Sequence, residues 1–169
     1  MIGNDVIDII QSRLESNWKR KGFVEKIFTA EEQLLIAQDL NPELMVWIFW
    51  SMKEAAYKIY NRQTKIRAYI PHKLMCSLDN PASDPDMATG KVSCCNTIYY
   101  TKTVITKDYI HTIAVSDLQQ WNTVTEIKKN SIIKDQDGIP FLLSSLSNSL
   151  HDVSISNHGR FEKVICISV

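Results

Sequence analysis

Residues 50–58 read WSMKEAAYK, which sets Glu54 and Lys58 one helical turn apart inside an otherwise apolar stretch. The surrounding run, ELMVWIFWSMKEAAYKIY over residues 43–60, has the length and spacing of the longest helix in the chain. At 100° per residue, Trp47, Ser51, Glu54 and Lys58 share one face, while Ile48, Met52, Ala55 and Ile59 cover the neighbouring one. On a solvated face an i, i+4 Glu–Lys pair contributes only about 0.2–0.5 kcal/mol. Here Trp47, Phe49, Trp50, Tyr57 and Tyr60 leave little of the circumference wet. An ion pair placed there for support alone would barely offset its own desolvation. A ligand that needs both charges is the better explanation.

Outward from this helix the elements are readable in both directions. Pro42 suits its first turn and Asn61 its end. Before it, Thr29 and Glu32 form a capping box for a helix over about 30–38, which Asn41-Pro42 stops. Residues 2–10 read as a short strand running into a turn or helix start, interrupted by Asp5 and Asp8. Beyond Lys65, clusters of Tyr, Ile, Val, Thr and Cys predict strands at about 73–78, 91–97, 99–105 and 109–115. Residues 80–90 read as an exposed loop, 106–108 as a hairpin turn and Asp137-Gly138-Ile139-Pro140 as another turn. The tail DVSISNHGRFEKVICISV predicts a hairpin around Asn157-His158-Gly159. The expected class is α+β, with helices packed on a mainly antiparallel sheet. We expect one domain over residues 1–169, with an extended β-rich middle segment at about 66–121.

Composition narrows the partners. With 44% apolar and 22% charged residues among 169, the chain can bury a substantial core. Formal charge is zero, which argues against a nucleic-acid partner. No basic region precedes the apolar residues of MIGNDVIDII, and no run approaches the length of a membrane span, so a cytoplasmic protein is expected. Cysteines 76, 94, 95 and 166 have neither metal-site nor disulfide-framework spacing; small buried thiols and no structural zinc are expected.

Asp5, in GND, often has the plain role of capping a helix or fixing a turn. Paired across the fold with Glu54, it would suit Mg²⁺, which takes oxygen ligands, often from one or two carboxylates, and completes its shell with water and substrate phosphates. Lys58 would then contact phosphate. Asp8 is the weaker candidate, since it could point to the opposite side or cap the next segment of chain.

These stretches carry a resemblance. GNDVIDI, GFVEKIFTAEEQ, FWSMKEAAYK, DGIP and VSISNHGRF resemble, in that order, the 4'-phosphopantetheinyl transferase superfamily. The order is that of holo-acyl-carrier-protein synthases; the larger surfactin-synthetase type places its histidine-containing motif ahead of the aspartate. The likeness covers residues 1–62 and 135–169 well and 63–134 poorly. It implies the fold of that superfamily and an Mg²⁺-dependent transfer of the 4'-phosphopantetheine arm of coenzyme A to a serine of an apo acyl or peptidyl carrier protein, releasing adenosine 3',5'-bisphosphate. Asp5 and Glu54 carry over as metal ligands and catalytic residues, and Lys58 as the phosphate contact. Glu54, directly or through bound water, or else neutral Lys58, would take the serine proton.

Two positions depart from the pattern. After Ser-Ile-Ser the family has histidine, where this chain has Asn157 followed by His158. Ser156, Asn157 and His158 are the implied coenzyme contacts. Of the last two only one can point at the coenzyme, because neighbours on a strand face opposite ways. Asn157 is favoured, as it stands at the motif position in register with Ser154 and Ser156. The third acidic position of the surfactin type is Ile7. Rival readings are a non-catalytic member that binds coenzyme A or a carrier protein, and a metal-dependent phosphohydrolase using the same carboxylates. His111 reads as a hydrogen-bonded core histidine and His72 as a loop residue. Lys19-Arg20-Lys21 and Arg13 read as solvated charge or as docking contacts for an acidic carrier.

Overall fold

The computed structural model describes residues 1–79, 84–130, 132–143 and 149–167. In chain order these form β1 (Ile2–Asp8), α1 (Ile9–Glu15), α2 (Phe23–Ile27), α3 (Ala30–Gln38), α4 (Pro42–Thr64), β2 (Met75–Leu78), β3 (Met87–Cys94), β4 (Thr97–Ile105) and β5 (Tyr109–Val115). They continue as β6 (Val124–Glu126), β7 (Ile132–Lys134), β8 (Pro140–Leu143), β9 (Leu150–His158) and β10 (Phe161–Ile167). The class is α+β as expected, but there are two sheets rather than one: β1-β5-β4-β3-β2 and β6-β10-β9-β8-β7, all antiparallel.

Helix α4 lies across the first sheet and supplies most of the main core, with Phe49, Met52, Ala55, Ala56 and Ile59 fully buried against Tyr99, Ile110 and Ala114 of the sheet. Asn41 caps its start and Pro42 occupies its first turn, as read from the sequence. It runs to Thr64 rather than ending at Asn61; Lys65, in the left-handed conformation at φ 60°, closes it. The capping box of α3 is present, with Thr29 and Glu32 each bonding the other's backbone N–H.

Other boundaries move for identifiable reasons. The strand expected from residue 73 begins at Met75, because Pro71–Lys73 winds into a 3₁₀ turn. The strand expected from residue 91 begins at Met87, inside the expected loop, where Ala88 and Thr89 already pair with Thr103 and Lys102. Residues 80–83 of that loop lie outside the described residues. The tail hairpin closes one residue later than expected: His158 still pairs with Phe161, so the turn is Gly159-Arg160, with Gly159 at φ 52°. All four cysteines are free thiols, but Cys95 is exposed rather than buried, at the β3–β4 turn. No helix among the described residues is long and apolar enough to cross a membrane.

Two buried polar groups set the stability of this core. Lys53 is 0% exposed, and its Nζ lies 2.8 Å from Glu32 Oε2 and donates to the carbonyls of Pro71 and Leu74. Glu32 Oε1 accepts in turn from Cys76 N at 2.7 Å, so one ion pair ties α3, α4 and the lead into β2 together. His111, on β5, faces Asn4 Nδ2 at 3.3 Å and is the core histidine expected. Burial, with Lys163 nearby, pushes its pKa down from 6.5 to about 4.

Each group gives a measurable expectation. Lys53→Met strands a buried carboxylate and should lower unfolding free energy by about 3–5 kcal/mol in urea titrations; a loss below about 1 kcal/mol would contradict the role of the pair. For His111 the folded pKa lies below the unfolded one, so the unfolded chain takes the proton first as pH falls. Its contribution to stability therefore declines from about pH 6.5 to about 4 and is flat below. His111→Gln should remove that part of the slope from a series of thermal melts.

Candidate active site

The site forms where β1 crosses α4, and Gly3 explains how close the crossing is. A Cβ at Gly3 would stand 2.0 Å from the carbonyl oxygen of Ala55, so only glycine lets the strand rest on the helix backbone. Two residues on, Asp5 faces the same way. Ser51 Oγ donates to the Asp5 carbonyl at 3.3 Å, and Lys58 Nζ donates to the carbonyls of Asn4 at 2.6 Å and Ile155 at 3.1 Å. The face of α4 expected to carry Ser51, Glu54 and Lys58 is thus the face turned to β1.

The outer edge of β1 is held by side chains. Its inner edge pairs with β5. On the other, the N–H groups of Asn4, Val6 and Asp8 donate to Ser154 Oγ, Ser156 Oγ and His158 Nδ1 at 2.9, 3.0 and 2.9 Å. Three alternate residues of β9 therefore stand in for a paired strand. The motif pattern sets Asn157 in register with the two serines. The period of a strand is two, so that register belongs to His158. Because Asp8 N–H donates to Nδ1, the His158 proton sits on Nε2, which lies 3.2 Å from Glu15 Oε2. Asn157 is exposed and lines the same cleft as Asp5, Ser12, Trp47 and Trp50, of about 230 Å³.

Asp8 takes the capping role. Its Oδ1 accepts from the N–H groups of Ile10 and Gln11 at the start of α1, and Arg160 grips it from the tail hairpin at 2.8 Å. These bonds hold its carboxyl well below the usual range. Gly159 makes the grip possible, since a Cβ there would meet Asp8 Oδ2 at 2.5 Å.

Asp5 is different. Its Oδ1 accepts from Ser156 Oγ at 3.1 Å, whereas Oδ2 is the one carboxylate oxygen among the buried side-chain polar atoms of the described residues that lack a hydrogen-bond partner. Burial pushes its pKa up, with Lys58 opposing. Glu54 is pushed up by burial and then by Asp5. Lys58 is pushed down by burial, against the pull of both carboxylates. Two carboxylates that repel each other, one with an orphaned oxygen, fit a hard divalent cation. Among the described residues no cluster of three or more His, Cys, Asp or Glu side chains gathers, so water or substrate oxygens would have to complete such a shell.

A model of the 4'-phosphopantetheinyl transferase superfamily matches residues 1–114, which include Asp5, Glu54 and Lys58. The chain belongs to that superfamily. The match runs through residues 63–114, where the sequence motifs show little likeness, and stops short of the tail hairpin. No curated protein and no solved structure matches the chain. Enzymes of this superfamily move the phosphopantetheine arm of coenzyme A onto carrier proteins.

Sequence reasoning missed Lys53, whose partner Glu32 lies 21 positions away and was credited only with a cap. It missed Tyr69 as well, whose ring packs against Trp50 and Tyr57, which flank Glu54 on α4. The two tail residues should now separate by experiment. His158→Ala strands the Asp8 N–H and should cost about 1–3 kcal/mol of stability. Asn157→Ala should leave the melting temperature unchanged; equal melting losses for both would contradict the placement.

Proposed function

We propose that this chain is a transferase of the holo-acyl-carrier-protein synthase type, which moves the 4'-phosphopantetheine arm of coenzyme A to a serine of an apo acyl or peptidyl carrier protein and releases adenosine 3',5'-bisphosphate. The observation that carries this reading is the orphaned Asp5 Oδ2 beside Glu54, inside the region matched by the superfamily. Asp5 and Glu54 are assigned to hold Mg²⁺, which when bound would neutralise charge on the pyrophosphate oxygens. Ser156 keeps Asp5 oriented through Oδ1 rather than touching coenzyme A, because its hydroxyl already serves both Asp5 and Val6 N.

Lys58 has two of its three N–H donors committed to backbone carbonyls, leaving one for a phosphate oxygen. That contact would grow stronger as charge builds on the leaving group. Glu54, with its carboxyl pushed up by burial and by Asp5, is assigned to take the proton of the incoming serine. Asn157, exposed on the cleft, is assigned the contact to coenzyme A that His158 cannot make while it serves Asp8 and Glu15. Lys19, Arg20 and Lys21 are exposed and available to an acidic carrier, whereas Arg13 is already bonded twice to Glu43.

Because β1 is bonded into both sheets, we take the chain as one such domain. The free thiols fit a cytoplasmic setting. The replacement of the family histidine by Asn157 favours one second reading, a member that binds coenzyme A without turning it over.

The test is the intact mass of several apo carrier proteins after incubation with the enzyme, coenzyme A and Mg²⁺. Gain of one arm on any of them supports transfer; coenzyme A binding with no mass gain on any carrier supports the second reading. Within the active system, Glu54→Gln should slow transfer at least about a hundredfold while the protein stays folded. Asp5→Asn should do likewise, with part of the loss recovered at high Mg²⁺. Near-normal rates for Glu54→Gln at saturating Mg²⁺ would remove Glu54 from the site.

A further inference from the structure

Cys94 and Cys95 adjoin at the tip of the β3–β4 hairpin, and neither belongs to the residues assigned to transfer. Cys94 ends β3 by pairing with Thr97, which leaves Cys95 and Asn96 as the whole turn. Both hold positive φ, 50° and 66°. Such a two-residue turn favours Gly, Asn and Asp, because most residues with a β-carbon are strained in the left-handed region. Asn96 suits that preference and Cys95 does not. A residue held in strain points to a constraint other than the turn itself.

The constraint visible here lies on sulfur. Cys94 is 1% exposed and packed in the main core, whereas Cys95 is exposed, yet their Sγ atoms stand 3.8 Å apart. The pair is one thiol fixed by the core and one that solvent reaches. Adjacent Cα atoms are about 3.8 Å apart, closer than the range of about 4.4–6.8 Å that disulfides use, so a direct S–S bond would distort the turn. A single atom bonded to both sulfurs at about 2.3 Å and a near-tetrahedral angle spans about 3.8 Å. A bridging atom therefore fits where a disulfide does not.

Burial selects the kind of bridge. A soft divalent cation binds thiolates and draws on four ligands. Burial, and Cys95 beside it, push the Cys94 thiol up to about 11. Among the described residues no third His, Cys, Asp or Glu side chain joins the two sulfurs. A trivalent arsenical needs neither a thiolate left in the core nor further protein ligands, since it condenses with two neutral thiols to an uncharged product.

We propose that Cys94 and Cys95 form a dithiol site that captures monosubstituted trivalent arsenicals as a cyclic dithioarsenite. Two S–As bonds form as the arsenic–oxygen bonds of the reagent break. Both thiol protons leave with that oxygen as one water, and arsenic stays trivalent. The site stands independently of the reading of Asp5 and Glu54.

The probe is phenylarsine oxide, added to the folded protein in excess glutathione and followed by intact mass. The wild type should gain one phenylarsine oxide less one water. Cys95→Asn puts a residue that tolerates positive φ into the turn, so its melting temperature should not fall. Its dissociation constant for the probe should rise at least about a hundredfold, the advantage lost when two linked bonds become one. Cys76→Ser, at the other partly exposed thiol, should capture the probe like the wild type. A wild type that gains no mass overturns the proposal, and so does capture by Cys95→Asn equal to that of the wild type. Capture that begins only once the chain is unfolded in urea overturns it as well, because the folded turn would then be closed to the reagent.

Discussion

The open edge of β1 is the constraint on which the rest depends. A strand with one unpaired edge presents N–H groups that must find acceptors if they are to be buried. Here they find two serine hydroxyls and an imidazole, all from alternate residues of β9. Each bond contributes only about 0.5–1.5 kcal/mol net, but a buried N–H left without an acceptor would cost more. The arrangement also leaves the carbonyl of Asn4 for Lys58 and delivers the hydroxyl of Ser156 to Asp5. One set of contacts thus joins the two sheets and orients two of the three charged residues at the site.

Adjacent residues of α4 show how burial separates support from chemistry. Lys53 and Glu32 form a pair in which both Glu32 oxygens and Lys53 Nζ have further partners in the backbone. Such a pair is self-sufficient and holds elements together. Glu54, next in sequence, faces a second carboxylate, and Asp5 leaves an oxygen with nothing to bind. Lys58 offsets part of that repulsion, yet burial still pushes both carboxyls up.

How legible these features were depended on the range of the interaction. The caps of α3 and α4 and the polar stripe of α4 involve residues a few positions apart, and periodicity exposes them. Gly3 and Asp5 were visible as a motif, but the reason for the glycine, its approach to Ala55, belongs to tertiary packing. The tail was half legible: SISNH was placed on a strand, yet the motif register was followed where strand parity should have been, so Asn157 was set in line with Ser154 and Ser156 where His158 stands, bonded to Asp8. Lys53 with Glu32 and Tyr69 with Tyr57 join residues 12 to 21 positions apart across turns whose geometry no local pattern encodes. The second sheet was missed because β6, β7 and β8 are only three or four residues long.

The central claim is that Asp5 and Glu54 together form the cation site, with Lys58 beside it. Crystals grown with coenzyme A and Mn²⁺, measured at a wavelength where manganese scatters anomalously, test it most directly. The account expects an anomalous peak within bonding distance of both Asp5 Oδ2 and a Glu54 oxygen. A peak on other side chains, or well-ordered coenzyme A with no peak between these two carboxylates, would contradict it.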